Sequence, residues 1–372
     1  MTLHIFNPEH DIALASGLSN FTAPHAGRQL RHDLGFLPAI WAKQGDTVMV
    51  DDVEQAQRAA QKISHRVSTL LKIPAIIPES LNFVANKPSQ QLTDINNIEP
   101  WGWNIALRAM LIRRGVDEQR MPTLPQLDTI RDLSHRRTAA QLLPKLRMAG
   151  TIGEAFECTE PEQVEALLAQ YGQLVMKAPW SSSGRGLRFL STDRTPFQMQ
   201  ASWFRNVVTA QGCVMVEPFY NKTKDFGMEF YSDGKGNVTY LGLSLFHTAN
   251  GAYTGNILTT ETVKREMISR YVSTELLDSI QEKICHDLGT TFKGCYEGPF
   301  GVDMMIVQPS TSHLPPSTFH LPQLTLHPCV EINLRRTMGH VALALSPTDD
   351  DIRCVMRIAY TDNFYKLTIN RL

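Results

Sequence analysis

Polar side chains interrupt three stretches that otherwise read as buried strands, and charges placed there limit what the chain can fold into. Lys177 follows Leu174, Val175 and Met176, Asp303 splits "FGVDMMIV", and Glu331 and Asn333 stand two apart in "CVEINLRR". Residues two apart on a strand share a face, so Glu331 and Asn333 point the same way, with Arg335 in phase and Arg336 beside it. A carboxylate in a sheet core is costly unless something compensates it. With Asp303 on a neighbouring strand, the three side chains would form an oxygen-only cluster of two carboxylates and an amide carbonyl. Mg²⁺ takes such a donor set when phosphates and water complete its shell. A salt-bridge network is the competing explanation.

The run after Lys177 turns at Pro179 and continues Ser181, Ser182, Ser183, Gly184, Arg185, Gly186. Small residues let backbone N–H groups converge on an anion, and hydroxyls add donors. A flexible loop beside a snorkelling lysine would look the same. Neither GxxxxGK[ST] nor an early GxGxxG is present. In "VMVEPFYNKTKDFGMEF", Glu217 ends an apolar strand and Asp225 begins the next after a short turn. An acid there can accept from an adenine amino group or from ribose hydroxyls, although hairpin charges explain each one alone.

Net charge is -1, from 36 basic and 37 acidic residues, which removes the electrostatic basis for general nucleic-acid or anionic-membrane binding. Any anion site is therefore local. The six cysteines are scattered with no CxxC pair, so neither a zinc knuckle nor a disulfide framework is expected. "MTLHIFNPEHD" lacks a basic n-region, and no apolar run approaches the roughly 18 residues of a membrane span. A cytoplasmic protein is the expectation.

Strands alternate with helices over the first third: "LHIFNP", "HDIALAS", "GDTVMVDD", "VEQAQRAAQKIS", and a helix over 98–115 with a Pro-containing entry. That pattern predicts an α/β domain over 1–130. Ser134 reads as the N-cap of the next helix. From 213 the texture changes to consecutive strands, with "SDGKGN" as a hairpin turn. The Pro- and Ser-rich segment 308–326 reads as a surface insertion.

Taken in order, Lys177 with its Ser/Gly loop, Glu217 with Asp225, Asp303, and Glu331-x-Asn333-x-Arg335 resemble the ATP-grasp superfamily over about residues 131–340. The resemblance implies an α/β N-terminal domain followed by a two-lobed α+β ATP-grasp fold. Its lid lobe would span 131–212, and its C-terminal lobe 213–372 would carry the metal site. It further implies that Lys177 contacts the α- and β-phosphates of ATP and that Ser181, Ser182, Ser183, Gly184, Arg185 and Gly186 cover them. Adenine would sit near Glu217 and Phe219, and ribose at Asp225. Asp303, Glu331 and Asn333 would hold Mg²⁺, or Mn²⁺ in its place. Arg335 or Arg336 would steady the transferring phosphoryl group, and Arg136 or Arg137 would add a second phosphate contact. Gly301 departs from the pattern of the family's amino-acid ligases, which carry arginine there.

The implied activity is an ATP-dependent ligase that joins a carboxylate to an amine (or thiol) through an acylphosphate. A small-molecule kinase or a non-catalytic nucleotide binder on the same scaffold are the alternatives. Partners would be small-molecule carboxylates and amines, with a homodimer compatible. Lys177→Met is expected to weaken ATP binding without unfolding the chain. Tyr253 and Asn256 in "HTANGAYTGN" read more readily as a surface loop than as an acceptor site. Asp11 in "FNPEHD" reads as a helix cap, His10 as a weak metal candidate, and Trp101 and Trp103 as packing residues.

Overall fold

The computed structural model describes residues 1–74, 76–92, 95–181, 186–249, 252–308 and 324–372. Four short strands, β1 (Thr2–Ile5), β2 (Thr47–Val50), β3 (Asn82–Ala85) and β4 (Asn97–Pro100), form a parallel sheet in the order β3-β2-β1-β4. The helices of this region are α1 (His10–Ser16), α2 (His25–Leu34), α3 (Val53–Leu71) and α4 (Ile105–Arg113). Leu3, Ile5 and Met49 pack with Leu107 and Leu111 of α4 on one face of the sheet. Val48 and Val50 pack with Ala56, Ala60, Ile63 and Val67 of α3 on the other. Burial on both faces is why these strands read as unbroken apolar runs.

One expectation fails here. The Pro-containing entry to a helix at 98–115 is a strand, β4, and the helix starts only after Asn104, whose side chain accepts from Leu107 N–H at 2.9 Å. Proline ends the edge strand, where a missing N–H costs nothing.

After α5 (Leu124–Leu133) and α6 (Arg136–Leu146), an antiparallel sheet forms from β5 (Phe156–Cys158), β6 (Gln173–Lys177), β7 (Leu187–Ser191) and β8 (Val214–Pro218), in the order β5-β8-β6-β7. The helices α7 (Pro161–Tyr171) and α8 (Ala201–Gln211) supply Val164, Leu168 and Phe204 to its core. Ser134 is the C-cap of α5 rather than an N-cap. His135 caps α6 instead, its Nδ1 accepting from Arg137 N–H at 2.9 Å. An imidazole nitrogen satisfies the same orphan donor that a serine hydroxyl would.

The third sheet is β9 (Asn221–Asp233), β10 (Val238–Ser244), β13 (Glu297–Gln308) and β14 (Thr325–Asn333), in the order β10-β9-β13-β14. Its apolar face, with Phe226, Met228, Phe230, Phe300, Val302 and Met304, packs against α6 and α10 (Thr274–Phe292). Between β10 and α10 lie the hairpin β11 (Phe246–Ala249) and β12 (Ala252–Leu258), followed by α9 (Glu261–Ser269). The hairpin joins β15 (Cys354–Thr361) and β16 (Phe364–Arg371) in a fourth sheet, and α11 (Met338–Ala344) follows β14. The segment read as a surface loop around Tyr253 and Asn256 is therefore a strand. Asn256 is fully buried, donates to Ser244 Oγ at 2.8 Å, and accepts from Tyr253 Oη at 2.6 Å. Most of the 308–326 insertion, residues 309–323, lies outside the described residues.

Candidate active site

The polar face of the third sheet carries the candidate metal ligands. Asp303 on β13 is in register with Gly227 of β9 on one side and Glu331 of β14 on the other. One step along, Gly301 lies between Glu229 and Asn333. Each row thus sets a glycine beside a carboxylate, and a Cβ on Gly227 would meet Asp303 Oδ1 at an ordinary contact distance of 3.4 Å. Asn333 Nδ2 donates to Asp303 Oδ2 at 3.2 Å. Asp303 is half-buried, and desolvation, then Glu331, then Glu229, push its pKa up to about 8. Such a group has more negative charge around it than it can sustain, and a divalent cation would relieve that. Asp303 and Glu331 therefore fit Mg²⁺ in donor type and electrostatics, whereas Asn333 turns its Nδ2 to Asp303 and gives its Oδ1 to Arg335, so its amide would have to turn to join them.

The carboxylates are less exposed to each other than the sequence implies, because arginines meet them. Arg136 Nη2 lies 2.8 Å from Glu331 Oε1, and its Nε donates to the Ala178 carbonyl at 3.1 Å. The same Nη2 is 3.5 Å from Ser181 Oγ. One guanidinium thus spans from the residue after Lys177 to the third sheet. Arg137 turns away, paired with Glu157 Oε1 at 2.6 Å and Oε2 at 2.7 Å, so of the two arginines Arg136 is the one facing the cluster.

Arg335 donates to Asn333 Oδ1 at 2.9 Å and grips Asp11 in a bidentate pair, with both contacts at 2.8 Å. Asp11 is not a cap. Glu9 holds the N-cap position of α1 without a side-chain cap bond, and Asp11 uses its carboxylate to fix Arg335 from the first domain. Planar fork-on-carboxylate pairing sets orientation as well as energy. Arg336 points elsewhere: its Nη2 is 3.2 Å from Glu99 Oε2, its guanidinium stacks 4.6 Å over Trp41, and its N–H donates to the Trp101 carbonyl. Trp101 is core, edge-on to Phe6. Burial lowers the His10 pKa to about 4, and Asn104 lies against its ring, so it is a neutral core histidine.

On the second sheet, Lys177 ends β6 opposite β8, and its Nζ donates to Glu217 Oε2 at 2.6 Å. Both side chains are buried, at 7% and 8% exposure. Gly186 closes the loop, accepting from Ala178 N–H at 2.9 Å; Ser182, Ser183, Gly184 and Arg185 lie outside the described residues. Phe219 is half-exposed and packs edge-on to Phe189 at 6.1 Å. Asp225 sits within β9, accepting from Lys222 Nζ at 2.5 Å and Thr248 Oγ1 at 2.8 Å.

Two buried groups escaped the sequence reading. Glu229 continues the Asp225–Gly227 phase and leaves Oε2 without a hydrogen bond among the described residues. His340 Nδ1 approaches that oxygen to 3.0 Å but is already accepting from Thr337 N–H at 3.1 Å. Glu229 also explains Gly301, since a Cβ there would lie 2.7 Å from Glu229 Oε2. His327, on the same strand as Glu331, is fully buried with both ring nitrogens unpartnered among the described residues. Burial lowers its pKa to about 4. Period-two phasing would have found Glu229, whereas a register shift between His327 and Glu331, with Cys329 in the apolar core, hides His327.

Two antiparallel sheets bridged by Arg136 and preceded by a parallel α/β domain make an ATP-grasp fold. The chain superposes on the ADP complex of N5-carboxyaminoimidazole synthetase from Staphylococcus aureus with a TM-score of 0.50 and 11% identity, covering 97% of this chain and 83% of that one. It superposes on the β,γ-ATP complex of biotin carboxylase from Campylobacter jejuni with a TM-score of 0.51 and 12% identity, covering 98% and 77%. No protein-family profile matches the chain. In sequence, 121 residues are 30% identical to pyruvate carboxylase from Aspergillus terreus, which is 32% of this chain and 10% of that protein. The match therefore spans about a tenth of the curated relative. No described helix is long and apolar enough to cross a membrane.

Asp11→Asn is expected to keep the fold and to lower any ATP turnover about tenfold or more through loss of the Arg335 orientation, with little change in apparent KM for ATP. Steady-state kinetics check this, and a change confined to KM would place Asp11 in nucleotide binding instead.

Proposed function

We propose that this protein is an ATP- and Mg²⁺-dependent ligase that activates a carboxylate as an acylphosphate and passes it to an amine (or thiol). The observation that carries the reading is Arg136, which ties the Lys177 loop to Glu331 within one ATP-grasp fold. Asp303, Glu331 and Asn333 would hold Mg²⁺, which would neutralise phosphate charge. Lys177 would exchange Glu217 for the α- and β-phosphates, with Ser181, Gly186 and the loop between them closing over the triphosphate. Glu217 and the backbone near Phe219 would take adenine, and Asp225 the ribose. Arg335, held by Asp11, would face the γ-phosphate as the substrate carboxylate attacks it. The amine would then displace phosphate and form the amide. The protein supplies position and charge rather than a covalent nucleophile, which is how most of the barrier to phosphoryl transfer is lowered. The loop keeps water from the acylphosphate.

On this reading the first 130 residues help hold the carboxylate, and the lid and C-terminal lobes divide near 212. The protein works in the cytoplasm on small molecules. The name carboxylase, shared by the pyruvate carboxylase and the Campylobacter protein, puts bicarbonate in the panel of carboxylates to try.

The test is Mg·ATP with a matrix of carboxylates and amines, read by mass spectrometry. ADP, phosphate and an amide are expected from one pairing. ADP with a stable phosphorylated product identifies a kinase, and no turnover above background identifies a binder; either result overturns the ligase.

A further inference from the structure

The β15–β16 hairpin turns tightly through Asp362 and Asn363, both at positive φ, and leaves β16 as the last strand of its sheet. The bond from Leu372 N–H to the Arg353 carbonyl fixes the phase of the ladder. Residues 364, 366, 368 and 370 bond to β15, while 365, 367 and 369 aim their N–H and C=O groups outward. Two outward groups are capped by side chains. Tyr365 N–H donates to Asp33 Oδ2 at 2.8 Å, and the Ile369 carbonyl accepts from Arg66 Nε at 3.0 Å. Between these caps, the Tyr365 carbonyl, both Leu367 groups and the Ile369 N–H have no partner among the described residues.

That unpaired edge is the floor of a cavity of about 720 Å³, within the size range of built ligand sites. Phe364 through Asn370 line it without a gap, as happens when a cavity runs along a strand's edge and not across one face. Ala59, Lys62, Ile63 and Arg66 of α3 form the opposite wall, and Leu34 and Phe36 close one end. Unpaired backbone groups in an apolar trench are costly, and an added strand satisfies them. The rim carries Lys62, His65, Arg66 and Lys366; Asp362 pairs with Lys366 at 2.8 Å, which leaves Lys62 and Arg66 against one lining acid, Asp33, whose carboxylate already accepts from Gln29 and Tyr365. A second copy does not pair β16 to β16, because α3 walls that edge in both copies.

We propose that this trench is a strand-addition site for an extended acidic peptide segment of a partner protein, which pairs with β16 along Leu367 and packs its apolar side chains against α3. Backbone pairing supplies affinity in such complexes, and alternate side chains supply selectivity.

The probe is fluorescein-labelled acetyl-Glu-Val-Glu-Val-Glu-amide, titrated by anisotropy against the full chain. Saturable 1:1 binding is expected, falling at least tenfold when the glutamates are replaced by lysines. N-methylation of alternate amides, tried in each of the two phases, should cost at least tenfold in the phase that faces β16. Leu367→Pro removes an outward N–H without touching the β15 ladder and should abolish binding. Should that variant fail to fold, Lys62→Glu with Lys366→Glu should lower affinity at least tenfold at unchanged Tm. Equal binding of both N-methylated peptides means apolar adsorption and overturns the proposal, as does the absence of saturable binding.

Discussion

Lys177→Met destabilises the nucleotide-free protein by about 3–5 kcal/mol, the usual cost of removing one partner from a buried ion pair. The change leaves the Glu217 carboxylate, buried on β8, without the ammonium 2.6 Å from it. Sequence alone predicts weakened ATP binding without unfolding of the chain, and it gives no sign of the carboxylate that pairs with the lysine. The fold gives the lysine a resident counterion that nucleotide phosphates would displace on the proposed reading. A double variant separates the two roles. Lys177→Met with Glu217→Gln is expected to regain most of the lost stability, since a neutral amide is far cheaper to bury than an unpaired carboxylate. It is not expected to regain nucleotide binding. Urea unfolding and ATP titration of the wild type and both variants provide the check. Full recovery of ATP affinity in the double variant would remove Lys177 from the nucleotide site.

What the sequence discloses and what it hides follow from where each side chain finds its partner. Asp303, Glu331 and Asn333 were legible because a polar residue in an apolar strand is anomalous by itself, and strand period fixes its face. Parallel β1 and β2 were legible for the complementary reason, being apolar on both faces. Asp11 was misread because its partner, Arg335, lies 324 residues away. An acid at a strand–helix turn looks like a cap whether or not it caps. Ser134 and His135 exchanged roles for a local reason, since either can satisfy an orphan N–H, and only the path of the chain decides. The Tyr253–Asn256 strand was hidden by its glycines, and pairing with β15 outweighs their poor strand propensity. Gly301 carried a signal in the form of an absence. A missing arginine there looked like a departure in chemistry, and the structure shows the space taken by Glu229.

Asp303→Asn tests the cation site with a signature that simple damage does not produce: it should raise the stability of the apo protein while abolishing Mg²⁺-dependent turnover. Asp303 titrates at about 8 in the fold, against an ordinary 3.8, because burial, Glu331 and Glu229 all disfavour its charge. A carboxyl with a raised pKa is a proton sink in the native state. Its favourable contribution is complete below about 4, and it is lost as pH climbs from there to about 8, where the native group also ionises. Asparagine has no such linkage and is nearly isosteric. The stability difference, variant minus wild type, should therefore grow between pH 4 and pH 8 and level off above, reaching about 1 kcal/mol or more. The Asn333 bond to this position can survive, with the new amide oxygen accepting where Oδ2 did. Thermal unfolding across that pH range, with EDTA and with excess Mg²⁺, reads both halves. Wild type should gain stability from Mg²⁺ above pH 8, and the variant should gain none. A variant that is less stable than wild type at pH 8 without metal would mean that Asp303 holds the sheet together and that its charge is compensated by the protein, leaving no cation for this site to hold.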